Sequence, residues 1–192
     1  MKVVAVNGSP RKKGNIDALM KRAVKVLEDK GIEVETISLG DAEVRPCDAC
    51  GRCYSKAWDC PIDDAAEEVL KKMAKADGLL IGSPVYFGGV TAQLKALFDR
   101  SIMAYQAFEL KDKVLGALSC GGASHGGQEL TVWQIVMFGL THDMIVANSE
   151  GGLYGAMATG NDPGDVRKDD EGLKSAEALA RRMIALLEKT RD

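Results

Sequence analysis

Lys2-Val3-Val4-Ala5-Val6-Asn7-Gly8-Ser9-Pro10-Arg11-Lys12-Lys13-Gly14-Asn15 is the stretch that decides how this chain folds. The run Val3 to Val6 is continuously apolar, as a strand covered on both faces requires. It ends in a basic loop, and a helical stripe of Leu19, Ala23 and Val26 begins at about Ile16. A buried strand that runs through a short loop into a helix gathers unpaired backbone N–H groups and a positive helix end at one spot. Ser9, Arg11 and Asn15 can surround a terminal phosphate there, with Gly14 at the helix entry and Lys12 and Lys13 only steering. A Walker loop needs Gly-x-x-x-x-Gly-Lys-Ser/Thr, whereas Gly14 is followed by Asn15-Ile16, and Gly-x-Gly-x-x-Gly is absent too. The bland alternative is a capped helix start behind a solvated basic turn.

Outward from this loop, strands are expected at Lys2 to Asn7, Glu33 to Leu39, Gly78 to Ser83, Val114 to Cys120 and Asp143 to Asn148. The runs Val3 to Val6, Leu79 to Ile81 and Met144 to Ala147 are continuous, which predicts strands inside the sheet. Between them, Val69 with Met73, Leu94 with Leu97, and Leu179, Met183 and Leu186 repeat at helical spacing. Asp64 and Glu67 read as a capping box. Arg100, at a helix end, reads as favourable electrostatics. Strict alternation of strand and helix predicts an α/β doubly wound parallel sheet, with ligands beyond the carboxyl ends of the strands. Residues 148–170, rich in Gly and Asp, read as one long connection, a candidate interface arm.

The chain has 192 residues, 46% apolar and 28% charged, ordinary for a globular domain. Its formal charge of −3 provides no global field for a polyanion, so no nucleic-acid partner is expected. No apolar run reaches the ~20 residues of a membrane helix, and the start is too short for a signal peptide. A cytoplasmic protein is expected.

Asn7-Gly8-Ser9-Pro10-Arg11, Gly14-Asn15, then Gly82-Ser83-Pro84-Val85-Tyr86-Phe87-Gly88 and Leu94-Lys95-Ala96-Leu97-Phe98-Asp99-Arg100, resemble the NADPH-dependent FMN reductase superfamily of flavodoxin-like proteins. The resemblance implies a single flavodoxin-like domain over 1–192, a five-stranded sheet of order 2-1-3-4-5 with helices on both faces, and bound FMN. It implies that Pro84, Val85, Tyr86, Phe87 and Gly88 border the isoalloxazine ring. Ser119-Cys120-Gly121-Gly122-Ala123-Ser124-His125 resembles the third flavin loop, which makes Cys120, Gly121, Gly122 and His125 candidates. A lone histidine in such a loop is also an ordinary surface residue.

Cys47-x2-Cys50-x2-Cys53-x6-Cys60 is the most specific signal. On a continuous helix the first three would fan across about 120°, so convergence needs an irregular loop, here 44–61. A two-cluster ferredoxin is excluded, because the last gap is six and Cys120 is the only other cysteine. One cluster, a structural zinc and a redox disulfide or free thiols remain open. The compact motif between the second strand and the next long helix resembles the iron–sulfur flavoproteins, which implies a [4Fe–4S] cluster on these four cysteines beside FMN. Arg45, Arg52 and Lys56 are expected to offset its charge.

The expected activity is electron transfer between FMN and the cluster, with no catalytic side chain because the flavin carries the chemistry. NAD(P)H as co-substrate or ferredoxin is the expected redox partner, and a homodimer or homotetramer the expected assembly. Two alternatives stay open: an NAD(P)H-dependent FMN or quinone reductase without a cluster, and a non-enzymatic flavin- or metal-binding sensor.

Overall fold

The computed structural model describes residues 1–149 and 154–190. At its centre, β1 (Lys2–Asn7) pairs in parallel with β2 (Glu33–Ser38) on one side and β3 (Gly78–Pro84) on the other. β3 pairs in turn with β4 (Val114–Gly121). The free edge of β4 is shared by two short parallel strands. β5 (Ile145–Ala147) lies against Val114–Gly116, and β6 (Ala156–Thr159) against Leu118–Gly121. The order is 2-1-3-4-5, with β6 completing the fifth position.

Two expectations change here. The stretch 148–170 contains β6 and a 3-10 turn at Asp165–Lys168, so it is not one irregular connection; its residues 150–153 lie outside the described ones. Four residues rich in Ala and Met carry little strand signal, because strand propensity reflects side chains that fit a pleated surface. The run at Met144 to Ala147 forms an edge strand, not an inner one. It is apolar because α6 (Gln128–Thr141) and α7 (Asp170–Lys189) cover it from opposite sides.

Val3 and Ala5 face α1 (Asn15–Asp29) and α7, while Val4 and Val6 face the cluster built with α3 (Ala66–Lys75), α4 (Ala92–Arg100) and α6. Such alternation buries both faces, and each enclosed Val, Leu or Ile contributes about 1.5–3 kcal/mol. In α1 and α7 the buried stripe ends on Leu27 and Leu187, while Val26 and Leu186 are half-buried. Val26 and Leu186, three positions after Ala23 and Met183, lie at the edge of the same face and still pack against the cluster. Of two single helical turns, α2 (Arg52–Ser55) lies inside the cysteine segment and α5 (Ile102–Tyr105) packs against α2. Among the described residues no helix is long and apolar enough to cross a membrane.

Candidate functional site

The carboxyl ends of β1, β3, β4 and β6 open onto one cavity of about 110 Å³. Its floor is the first loop. The Gly8 N–H donates to Gly82 O (2.7 Å), and the Thr91 hydroxyl donates to Gly8 O (2.6 Å). A Cβ at Gly8 would stand 2.9 Å from Gly82 O, so the loop sits against β3 only because that side chain is missing. Ser9 is buried and donates its N–H to Asn7 Oδ1 (2.9 Å), while its Oγ accepts from the Arg11 N–H (3.1 Å). That leaves the Ser9 hydroxyl proton for a ligand.

α1 starts behind Gly14 with no side-chain cap, so its first-turn N–H groups are open to an anion. The Asn15 Oδ1 accepts from the N–H groups of Gly164 (2.8 Å) and Val166 (3.3 Å). Two backbone donors fix the orientation of that amide and leave its NH2 as the ligand-facing donor. Arg11 Nη1 donates to Asn161 O (3.1 Å), which folds the guanidinium over the rim. Lys12 turns away to Asp41 and holds that carboxyl below its usual range.

Pro84, Val85 and Tyr86 form the second wall and Cys120 and Gly122 the third. Gly160 and Asn161, which sequence reasoning missed, close the cavity from the end of β6. A short strand followed by Gly-Asn was the available signal, and it was obscured by the weak strand propensity before it. The other expected residues do not line this cavity. Gly14 caps α1, and Gly121 ends β4, where its carbonyl accepts from Gly160 N (2.8 Å). Phe87 and Gly88, both at positive φ, form the turn that lets Tyr86 and Gly89 exchange hydrogen bonds. Phe87 is fully exposed, and both residues border a separate apolar groove with Leu130, Trp133 and Met137. The His125 side chain is 90% exposed and faces Glu129. Burial pushes the Cys120 thiol up to about 12, so it stays protonated and unreactive.

A second cavity, about 120 Å³, is lined by all four motif cysteines together with Arg100. The segment is irregular apart from α2, as convergence of the first three cysteines demands. Cys53 is buried, Cys60 half-buried, and Cys47 and Cys50 exposed. Burial raises the Cys53 thiol, and the nearby Cys60, Cys50 and Cys47 raise it further. Arg52 forks onto Asp59 with Cys50 and Cys60 in electrostatic reach, Arg45 turns to Asp63 O, and neither they nor Lys56 is a cation that lines this cavity. Arg100 is, and it is almost wholly buried. Its Nη1 donates to Asp64 Oδ2 (2.9 Å) and Arg45 O (3.1 Å), and its Nη2 to Ile62 O (3.1 Å).

Asp64 is therefore not half of a capping box. It accepts from the N–H groups of Arg45 and Ala66, while Glu67 pairs with Lys71. Burial pushes its carboxyl up, but Arg100 and the two N–H groups outweigh this and hold it below its usual range. Both residues were in view in the sequence. Nothing local marks a pair 36 positions apart as buried.

The Arg100 Nε is buried without a hydrogen-bond partner, and Cys60 lies within interaction range of the same guanidinium. Among the described residues no three His, Cys, Asp or Glu side chains converge as a single-ion site. Four thiols around one cavity beside an unpaired cationic donor make a donor set that fits a thiolate-ligated metal group.

Ser101 and His142 approach to 2.8 Å, but the pair is not a nucleophile and base. The Ser101 hydroxyl donates to Phe98 O (2.6 Å), so His142 Nε2 must itself be the donor to Ser101.

Residues 1–156 match the family of NADPH-dependent FMN reductases. An iron–sulfur flavoprotein of Methanocaldococcus jannaschii is 46% identical, with 97% of each chain covered. One of Methanosarcina thermophila is 38% identical over all of both chains. The chain belongs to the iron–sulfur flavoproteins of this FMN reductase family. It is accordingly a flavin-dependent oxidoreductase. The solved structure of RosB with a bound riboflavin phosphate derivative superposes with a TM-score of 0.77 at 19% identity, covering 100% of this chain and 80% of RosB. An archaeal flavodoxin superposes at 0.60 with 18% identity and full coverage of both. Both establish a shared flavodoxin-like fold for this family member.

Proposed function

We propose that the chain holds FMN with its phosphate on the Ser9–Asn15 loop, holds a [4Fe–4S] cluster on Cys47, Cys50, Cys53 and Cys60, and passes electrons between them. The observation that carries this reading is the single cavity lined by all four cysteines and closed by buried Arg100. FMN supplies both one- and two-electron chemistry, and the cluster supplies one-electron transfer. The chain's own residues bind, orient and shield. The Ser9 hydroxyl, the Asn15 amide and the open N–H groups of α1 take the phosphate, with Arg11 adding charge at the rim. Pro84, Val85 and Tyr86 wall one side of the flavin, and Cys120 and Gly122 the other, while Gly160 and Asn161 complete the enclosure. Phe87, Gly88 and His125 belong to the approach surface, where NAD(P)H or a redox protein such as ferredoxin docks.

A homo-oligomer belongs to the same reading. Leu130, Trp133, Met137 and Leu140 are exposed on one face of α6 at spacings of three and four, a stripe suited to a second copy. A cytoplasmic setting does too, since no cysteine is in a disulfide, the state a reducing compartment maintains.

Anaerobic purification followed by assays of FMN, iron and acid-labile sulfide tests the proposal. One FMN, four irons and four sulfides per chain are expected. Flavin-loaded, iron-free protein that turns over NAD(P)H would overturn the cluster half and leave a simple FMN or quinone reductase. Protein with neither group would overturn both halves.

A further inference from the structure

Arg100 has more hydrogen-bonding capacity than its surroundings use. A buried guanidinium is costly unless its donors are paired, and an unpaired buried donor carries its full desolvation penalty. Here Nη1 has a carboxylate and a carbonyl, and Nη2 has a carbonyl, yet Nε has nothing. The side chain carrying that orphan donor lines the cavity bordered by Cys47, Cys50, Cys53 and Cys60. Its partner Asp64 is fixed on the far side by the N–H groups of Arg45 and Ala66. The carbonyls of Arg45 and Ile62, at the two ends of the cysteine segment, both accept from this one side chain. It therefore fixes the mouth of the cavity and supplies the unused donor inside it.

We propose that Arg100 donates its Nε–H to a sulfur of the iron–sulfur group, and that its charge, balanced by Asp64, sets that group's reduction potential. This rests on the cluster reading given above. Net charge and hydrogen bonds to sulfur are the protein's main levers on such potentials. Reduction adds negative charge to the cluster, so a cationic donor favours the reduced form. Asp64 is negative and opposes it. Arg45, Arg52 and Lys56, the cations nearest in sequence, are exposed, where water screens their charge, whereas Arg100 is buried beside the thiols, so Arg100 carries the largest effect.

Holoprotein is purified without air for wild type, Arg100→Gln, Arg100→Lys and Asp64→Asn, and iron and sulfide are counted before potentials are measured by titration monitored by electron paramagnetic resonance. Loss of the Arg100 charge shifts the potential negative, lowering the reduced-to-oxidised ratio about tenfold at fixed poise, which is 59 mV for a one-electron couple. Asp64→Asn shifts it positive. Opposite shifts cannot come from simple loosening of the segment, which would expose the cluster more in both variants. Arg100→Lys keeps the charge and recovers part of the Arg100→Gln shift, but it lacks the Nε–H. With arginine labelled by nitrogen-15, the cluster coupling to an arginine nitrogen disappears in both Arg100 variants and persists in Asp64→Asn. Four irons in every variant with equal potentials would overturn the role of Arg100 and leave the cluster reading standing. Wild-type protein without iron would overturn the cluster reading, and this inference with it. Should Arg100→Gln lose its iron, the positive shift of Asp64→Asn and the nitrogen coupling in wild type decide the case.

Discussion

The cavity at Ser9 and the cavity at Cys53 are held in place by different means. The first is held by bonds that each have a backbone partner: the Gly8 N–H to β3, the Ser9 N–H to the Asn7 side chain, and the Asn15 side chain to N–H groups of the loop after β6. Its walls are the ends of four adjacent strands, so its shape is a property of the sheet. The second is an irregular segment with one helical turn, and its geometry depends on a single buried ion pair between Asp64 and Arg100. A rigid cradle suits a ligand with a fixed outline. A segment pinned at two points can close around a group whose ligands come from the segment itself.

That contrast can be broken most sharply at the ion pair. Arg100→Met leaves Asp64 buried without its cation, at a cost of about 3–5 kcal/mol. Urea unfolding should show that loss, and protease cleavage between residues 45 and 62 should accelerate while FMN affinity stays near wild type. Equal damage to flavin binding would show that the two cavities are not independent.

A smaller effect of the same side of the molecule is its response to acid. His142 sits beneath Ser101, next to Arg100, and burial lowers it from 6.5 to about 4. A depressed folded value means that stability is fully present above 6.5 and is lost as pH falls through 4. The difference amounts to about 3 kcal/mol for this group. His142→Phe should flatten the decline in urea midpoint between pH 7 and pH 4, measured against wild type. A slope unchanged by the substitution would assign the decline to carboxylates.

The phosphate cradle is sharpened by Ser9→Ala. Removing one donor to a dianion costs about 1.5–3 kcal/mol, a tenfold or greater loss of FMN affinity by fluorescence quenching of apoprotein. Riboflavin, which lacks the phosphate, should bind equally to both. Gly160→Ala probes the wall that the sequence concealed. Its Cβ would stand 2.8 Å from Val166 N and 2.9 Å from Asn15 Nδ2, displacing the amide that faces the ligand. About 1–2 kcal/mol of FMN affinity should go, with iron content intact. Cys120→Ser should have the smallest effect, since its thiol is protonated and lies outside the four-cysteine cavity. Iron per chain should not change, whereas Cys53→Ser should lower it.

The sheet order, the anion loop and the four-cysteine segment were legible in the sequence because each is written in contiguous residues. An apolar run, a loop before a helix, and cysteines at fixed gaps are local signals with local causes. What failed was one step less local. β6 was hidden in a run of Ala and Met whose pairing with β4 spans 38 positions, as in Leu118 with Ala156. Phe87 and His125 sit in the expected loops, both at positive φ, and do not line the first cavity.

The sequence by itself determined that a buried strand would run through a short loop into a helix start, and that four thiols would gather in one segment. Only the tertiary structure decided that Gly160 and Asn161 would close the first cavity and that Arg100 and Asp64 would close the second. Burial is a property of what surrounds a residue. A charge at a helix end and a carboxylate before a helix look like ordinary surface features until the chain brings them together, out of water, where neither can remain without the other.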